Sequence, residues 1–176
     1  GGWGTDHTVK VRDLLSLTPE GHLSLWVFLS GIDLTDKVKA RVSPDHPLMW
    51  ALRDMRCVRK SGPSDQIWLR ILDVVTSLEA RPWFGDGEVV LGVVDSLGHA
   101  EGRWSVRVRD GRATVTPSDE APQVSMDVST LGSTYLGGVA TSSLMQSGRI
   151  RGQAEAISTW ARMSDGGPMP YSQTSF

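Results

Sequence analysis

GEVVLGVVDSLGHAEGRWSVRVRDGRATVTPSDEAPQVSMDVSTLGSTYLGG, residues 87–138, decides how the chain is read. Val89, Val90, Leu91, Val93 and Val94 make an almost unbroken apolar run. Apolar side chains pointing both ways imply a central strand covered on both faces. Trp104, Val106 and Val108 then alternate with Arg103, Ser105, Arg107 and Arg109, which predicts a half-buried strand with a wet, basic face. Asp110-Gly111 predicts a two-residue hairpin, because a type I′ turn needs positive φ at both positions. Residues 112–116 return alongside, and Pro117 ends that strand. Residues 123–128 predict a fourth strand with Val124, Met126 and Val128 inward, followed by a short helix closing on Gly137-Gly138. The order strand, hairpin, strand, strand, helix predicts an α+β fold of mostly antiparallel sheet with helices.

Outward from this stretch, Thr18-Pro19-Glu20 is a helix start: Thr18 can cap, Pro19 suits the first turn, and Glu20 complements the positive dipole end. Leu25, Trp26, Leu29 and Ile32 follow at helical spacing, with the end expected near residues 31–34. Short strands are predicted at residues 8–14, at 38–42, at 56–59 around Cys57, and at 67–71, where Ile67, Leu69 and Ile71 form one apolar face. Short helices are predicted at residues 48–54, 76–81, 141–147 with Leu144 and Met145 inward, and 153–163. Residues 1–7 and 164–176 carry glycine and polar residues and read as loose ends by pattern alone.

A chain of 176 residues with 39% hydrophobic content makes one domain, or one domain plus part of another. The net charge of −2 implies no strong electrostatic partner. One cysteine excludes an internal disulfide and fits a reducing, cytoplasmic location. The sequence has neither an apolar run long enough to cross a bilayer nor a signal-peptide pattern. It starts at Gly1 rather than methionine, which reads as a processed or cut end. The seven tryptophans are spread along the chain and read as packing anchors.

Few segments suggest chemistry on their own. Gly148-Arg149-Ile150-Arg151-Gly152 has the composition of a pyrophosphate-binding turn, but it is expected to join two helices as a surface loop. His7, His22, His46 and His99 lie on different predicted elements and are expected not to cluster, so no metal site is assigned. Cys57 reads as a small buried apolar residue. Arg103, Arg107, Arg109 and Arg112 share one hairpin, but Trp104 points to its other face and the chain is acidic overall; no nucleic-acid partner is expected. A solvated face paired with Glu88, Asp95, Glu101 or Asp110 is expected instead.

The stretch also carries a resemblance. Asp95, Asp110-Gly111-Arg112-Ala113, Thr116-Pro117-Ser118-Asp119, Met126-Asp127, Leu131-Gly132-Ser133 and Tyr135-Leu136-Gly137-Gly138 together resemble the sterol-carrier-protein-like C-terminal domain of the Eis (enhanced intracellular survival) acetyltransferases. Leu25-Trp26, Ile32-Asp33, His46-Pro47-Leu48, Leu52-Arg53-Asp54-Met55-Arg56, Ile67-Trp68-Leu69-Arg70 and Leu78-Glu79-Ala80-Arg81 are similar to further landmarks in the same order, and the chain ends on phenylalanine as those enzymes do. The resemblance covers about residues 9 to 176, and its specificity lies in the ordered set.

The resemblance implies that residues 1–72 are the closing half of a GNAT-like acetyltransferase domain and residues 73–176 a sterol-carrier-protein-like domain. It implies an acetyl-CoA-dependent N-acetyltransferase, with acetyl-CoA bound by an N-terminal half absent from this chain and no metal. The α-carboxylate of Phe176 would be the base that deprotonates an amine substrate. Ser175 and Phe176 would line the substrate pocket; an acidic residue can stand at the Ser175 position in the family, so this pocket carries less negative charge for a cationic aminoglycoside. A homo-oligomer is implied as well. The chain alone lacks the acetyl-CoA motif and is expected to need its N-terminal half as a second polypeptide, produced by cleavage just before Gly1; a soluble monomer of 19.2 kDa would count against this. The alternative is a stand-alone sterol-carrier-like lipid-binding or oligomerisation module without catalysis.

Overall fold

A computed structural model describes residues 7–62 and 67–172. They form two units: residues 7–62 with Tyr171 and Ser172, and Ile67–Pro170.

In the first unit, β1 (Thr8–Val11) leads through α1 (Pro19–Ser30) to β2 (Lys37–Ala40), and β1 pairs with β2 in parallel. The helix starts where its sequence says: the Thr18 hydroxyl accepts from the Gly21 N–H at 3.0 Å, with Pro19 in the first turn. A short α2 (Leu48–Ala51) and a 3₁₀ turn at Met55–Cys57 follow. That turn replaces the strand expected at 56–59, because the Asp54 carboxylate accepts from the Arg56 N–H and closes it; Cys57 is exposed, not buried. Among the described residues of this unit no side chain is buried.

The second unit is a five-stranded sheet with helices. It comprises α3 (Val74–Ala80), β3 (Gly87–Val94), β4 (Gly102–Arg109), β5 (Arg112–Pro117), β6 (Val124–Asp127), α4 (Val128–Tyr135), α5 (Thr141–Gln146), β7 (Ile150–Gly152) and α6 (Ala154–Ser164). The strand order is β5-β4-β3-β6-β7, so the valine run is central. Val89, Leu91 and Val93 face the core, while Pro122 packs on Gly92 from the other side. Val94 lies beyond that cover and is exposed. β3 pairs antiparallel with β4 but parallel with β6, so the sheet is mixed.

Four expectations change here. Val128 is buried but opens α4, because the Asp127 carboxylate caps the helix by accepting from the Thr130 N–H at 2.8 Å. Residues 150–152 form β7 against β6 rather than a loop between helices. Residues 67–71 form no strand; Ile71 is buried, whereas Ile67 and Leu69 are exposed. Met145, expected inward, is also exposed.

The core holds Leu78, Leu91, Val106, Val108, Leu131 and Trp160, each 0% exposed, and Trp83 meets Trp160 edge to face. Trp104 is partly buried against this core. The hairpin turn has Asp110 at φ 50° and Gly111 at φ 74°. Replacing Gly111 by valine should destabilise the unit by about 1–3 kcal/mol, since a β-branched residue is strained there. A denaturation midpoint unchanged by G111V would show that the turn tolerates a side chain.

Candidate functional site

Ser175 and Phe176 lie outside the described residues, so the proposed base and its neighbour have no geometry here. The described chain leads toward them as far as Ser172. Within the first unit, the Tyr171 hydroxyl donates to the Arg41 carbonyl at 3.0 Å. Tyr171 also lines a cavity of about 160 Å³ with Val11, Arg12, Val42, His22 and His46.

The histidines do cluster in part, contrary to expectation. The Trp26 indole N–H donates to His22 Nε2 at 3.0 Å, and His46 Nε2 stands 3.0 Å from the same atom. With His22 Nε2 accepting from Trp26, the N–H between the rings belongs to His46. His46 Nδ1 then accepts from the Leu48 N–H at 3.2 Å, so both rings are neutral. Helical spacing stacks His22 and Trp26 on one face of α1, and His46-Pro47 starts α2; the sequence separation of 24 residues hides the meeting. Burial first, then the neighbouring His22, lowers the His46 pKa below 6.5, against an upward pull from Asp45. A depressed folded pKa means that the unfolded chain takes up its proton first. The stability tied to neutral His46 should therefore be complete above about pH 6.5 and decline as pH falls toward the folded pKa. The His46 ring resonances should titrate with a midpoint below 6.5; a midpoint at or above that value would contradict the burial of this ring.

In the second unit, Asp95 is buried and accepts from the Leu97 and Ala100 N–H groups at 3.0 and 2.9 Å and from the Arg70 guanidinium. The Ala100 and Leu97 N–H groups, then Arg70, hold its carboxyl below the usual carboxylate range. Asp95 is thus the clamp of the loop after β3, not a partner of the arginine hairpin. On that hairpin Arg107 makes a two-pronged ion pair with Glu88, both contacts at 2.9 Å, and Arg103 donates to the Asp119 carbonyl. Arg107 is thus engaged within the sheet and Arg103 by the loop after β5. Among the described residues no group of three or more His, Cys, Asp or Glu side chains could hold a metal ion, and no helix is long and apolar enough to cross a membrane.

The 148–152 segment lies between α5 and α6, as expected, and contains β7. Its turn is nevertheless taken: the Gln123 carbonyl accepts the Gln153 N–H at 3.1 Å and lies 2.1 Å from where a Cβ on Gly152 would stand. A pyrophosphate there would face a carbonyl oxygen. These residues do not fit acetyl-CoA.

Residues 74–173 match the family described as sterol carrier protein domain, and residues 2–71 match acetyltransferase (GNAT) domain. The N-acetyltransferase Eis of Mycobacterium tuberculosis is 37% identical over 145 residues, covering 81% of this chain and 35% of that protein. An uncharacterized N-acetyltransferase of Streptomyces avermitilis is 37% identical over 164 residues, 90% of this chain and 39% of the relative. The crystal structure of Eis1 from Mycobacterium abscessus superposes with a TM-score of 0.85 at 32% identity, covering 99% of this chain and 44% of that one. The chain thus spans less than half the length of each. Two family matches in sequence order and these relatives agree: this chain belongs to the Eis-type N-acetyltransferase family.

Proposed function

We propose that the chain acts as the C-terminal portion of an acetyl-CoA-dependent N-acetyltransferase. Residues 1–72 are then the closing half of a GNAT-like domain, and residues 73–176 are its sterol-carrier-like domain. The observation that carries this is α1. Leu23, Leu25, Trp26, Val27, Phe28 and Leu29 surround the helix, a pattern that belongs inside a protein. Yet Val27 is 71% and Phe28 69% exposed. Such a helix is suited to a sheet supplied by further acetyltransferase sequence, and the greater length of the relatives supports that source.

In this reading the Phe176 α-carboxylate takes a proton from the acceptor ammonium and leaves the amine lone pair free to attack. Ser175 borders the same pocket. An ordinary α-carboxyl has a pKa of about 3.3–3.7, so desolvation or a water relay must raise its basicity. Acetyl-CoA, held by preceding residues of the enzyme, supplies the activated acetyl group. A homo-oligomer in the cytoplasm completes the reading. The lipid-carrier alternative finds little support, because Leu78, Leu91, Leu131, Trp160 and Met163 fill the space between sheet and helices.

Co-expression with an N-terminal half designed on the Mycobacterium tuberculosis relative tests this. Acetyl transfer to an amine panel should require both pieces. Transfer by this chain alone, or a co-purifying pair that binds acetyl-CoA yet acetylates no amine, would contradict it.

A further inference from the structure

The strands of the first unit run parallel and end side by side, with Val11 opposite Ala40. In open α/β sheets ligands bind in the crevice outside the carboxyl ends of such strands. The cavity of about 160 Å³ lies at these ends. Val11, Arg12 and Leu14 line it from the end of β1, Arg41 and Val42 from the end of β2, and His22 from the first turn of α1.

The lining is one-sided in charge. Two arginines border the cavity, and among the described residues no aspartate or glutamate does. The Asp45 carboxylate nearby accepts from the Ser43 hydroxyl. Arg12 makes no ion pair or hydrogen bond with its side chain among the described residues. The tautomers add a further donor. His22 Nε2 accepts from the Trp26 indole at 3.0 Å, so the His22 proton sits on Nδ1. No described protein group accepts it. A half-buried N–H without an acceptor is a cost that a ligand oxygen removes. Val11, Leu14 and Val42 make the rest of the wall apolar. The volume is below the roughly 300–1,000 Å³ of drug-sized sites and close to the roughly 150 Å³ that holds a benzene ring.

We propose that this cavity binds a small carboxylate with a compact apolar body. Arg12 and the His22 Nδ1–H hold the acid group, and Leu14 and Val42 cover the body. The guanidinium fork pairs with the two oxygens of a carboxylate, whereas a bare phosphate leaves the apolar wall unused. This binding neither requires nor excludes acetyl transfer.

The test titrates the 176-residue chain, alone and again with an N-terminal half added, and follows the His22 and His46 ring resonances. Benzoate is the probe. Benzyl alcohol is its uncharged counterpart, and inorganic phosphate is an anion without an apolar body. Benzoate should shift both rings saturably, with a dissociation constant of about 1 mM or below. It should bind at least about tenfold more tightly than either comparison molecule. Arg12→Gln should weaken benzoate about tenfold and leave benzyl alcohol unchanged. Leu14→Gln should weaken benzoate and leave phosphate unchanged. The three titrations of the unaltered chain decide even where a variant fails to fold. Benzyl alcohol binding as tightly as benzoate would overturn the role of charge, and with it the proposal. Phosphate matching benzoate would overturn the ligand class. No saturable shift by benzoate, with or without the N-terminal half, would overturn the site itself.

Discussion

Blocking the terminal carboxyl of Phe176, by amidation or by one added glycine, should lower acetyl transfer by about 10²- to 10⁴-fold, the range a positioned general base contributes. The acceptor of an N-acetyltransferase is an ammonium ion at neutral pH, and it cannot attack until its proton leaves. A carboxylate suits that task only where water is excluded, since desolvation disfavours its charged form and raises its affinity for the proton. Either block removes this proton acceptor. The added glycine keeps a carboxylate but moves it about 3.5 Å along the chain, beyond hydrogen-bond reach of the same proton. Among the described residues the core of the second unit runs from Ile71 to Met163, and its melting temperature should not move. Initial rates over a pH series check the assignment; an extended terminus with full activity would remove it.

Arg81→Met should destabilise the second unit. The guanidinium is 6% exposed and lies 4.5 Å over the Trp83 ring. Burial depresses its pKa, which shows that the charge is held against a desolvation cost. Its bonds to the Thr134 and Ser164 carbonyls offset that cost. Methionine fills the space but takes the donor from the Ser164 carbonyl, while the Thr134 carbonyl keeps the Gly137 N–H at 3.0 Å, so a loss of about 1–3 kcal/mol is expected. Arg81→Lys should fall between, because an ammonium keeps the charge but not the fork. Chemical denaturation monitored by tryptophan fluorescence checks this; a loss below about 1 kcal/mol would mean that water reaches the Ser164 carbonyl.

The sheet centre is legible in sequence because each signal there is local. The valine run, the alternation in residues 103–109 and Asp110-Gly111 act over a few residues, and the Thr18 cap does the same for α1. Signals that need a partner are not legible in this way. Residues 67–71 alternate well, but alternation sorts side chains and supplies no neighbouring backbone, so no strand forms. Residues 150–152 alternate too little to be noticed and become a strand because β6 offers an open edge. Val128 continues the period of its strand, but the Asp127 cap turns the backbone into a helix one residue earlier. The His22–His46 pair depends on the packing of α1 against the segment before α2, which no spacing rule reports. Ser175 and Phe176 come from the family resemblance, since periodicity says nothing of a terminal carboxylate.

The central claim, that residues 1–72 belong inside a larger acetyltransferase domain, is tested most directly by amide hydrogen exchange of α1. In the chain alone, Pro19–Ser30 should exchange almost as fast as an open helix while β3 and β4 stay protected. Supplying the N-terminal half should slow α1 by about a hundredfold or more, because packed elements open only at a cost approaching that of global unfolding. Protection of α1 in the isolated chain equal to that of β3 would contradict the account and make this chain a self-sufficient module.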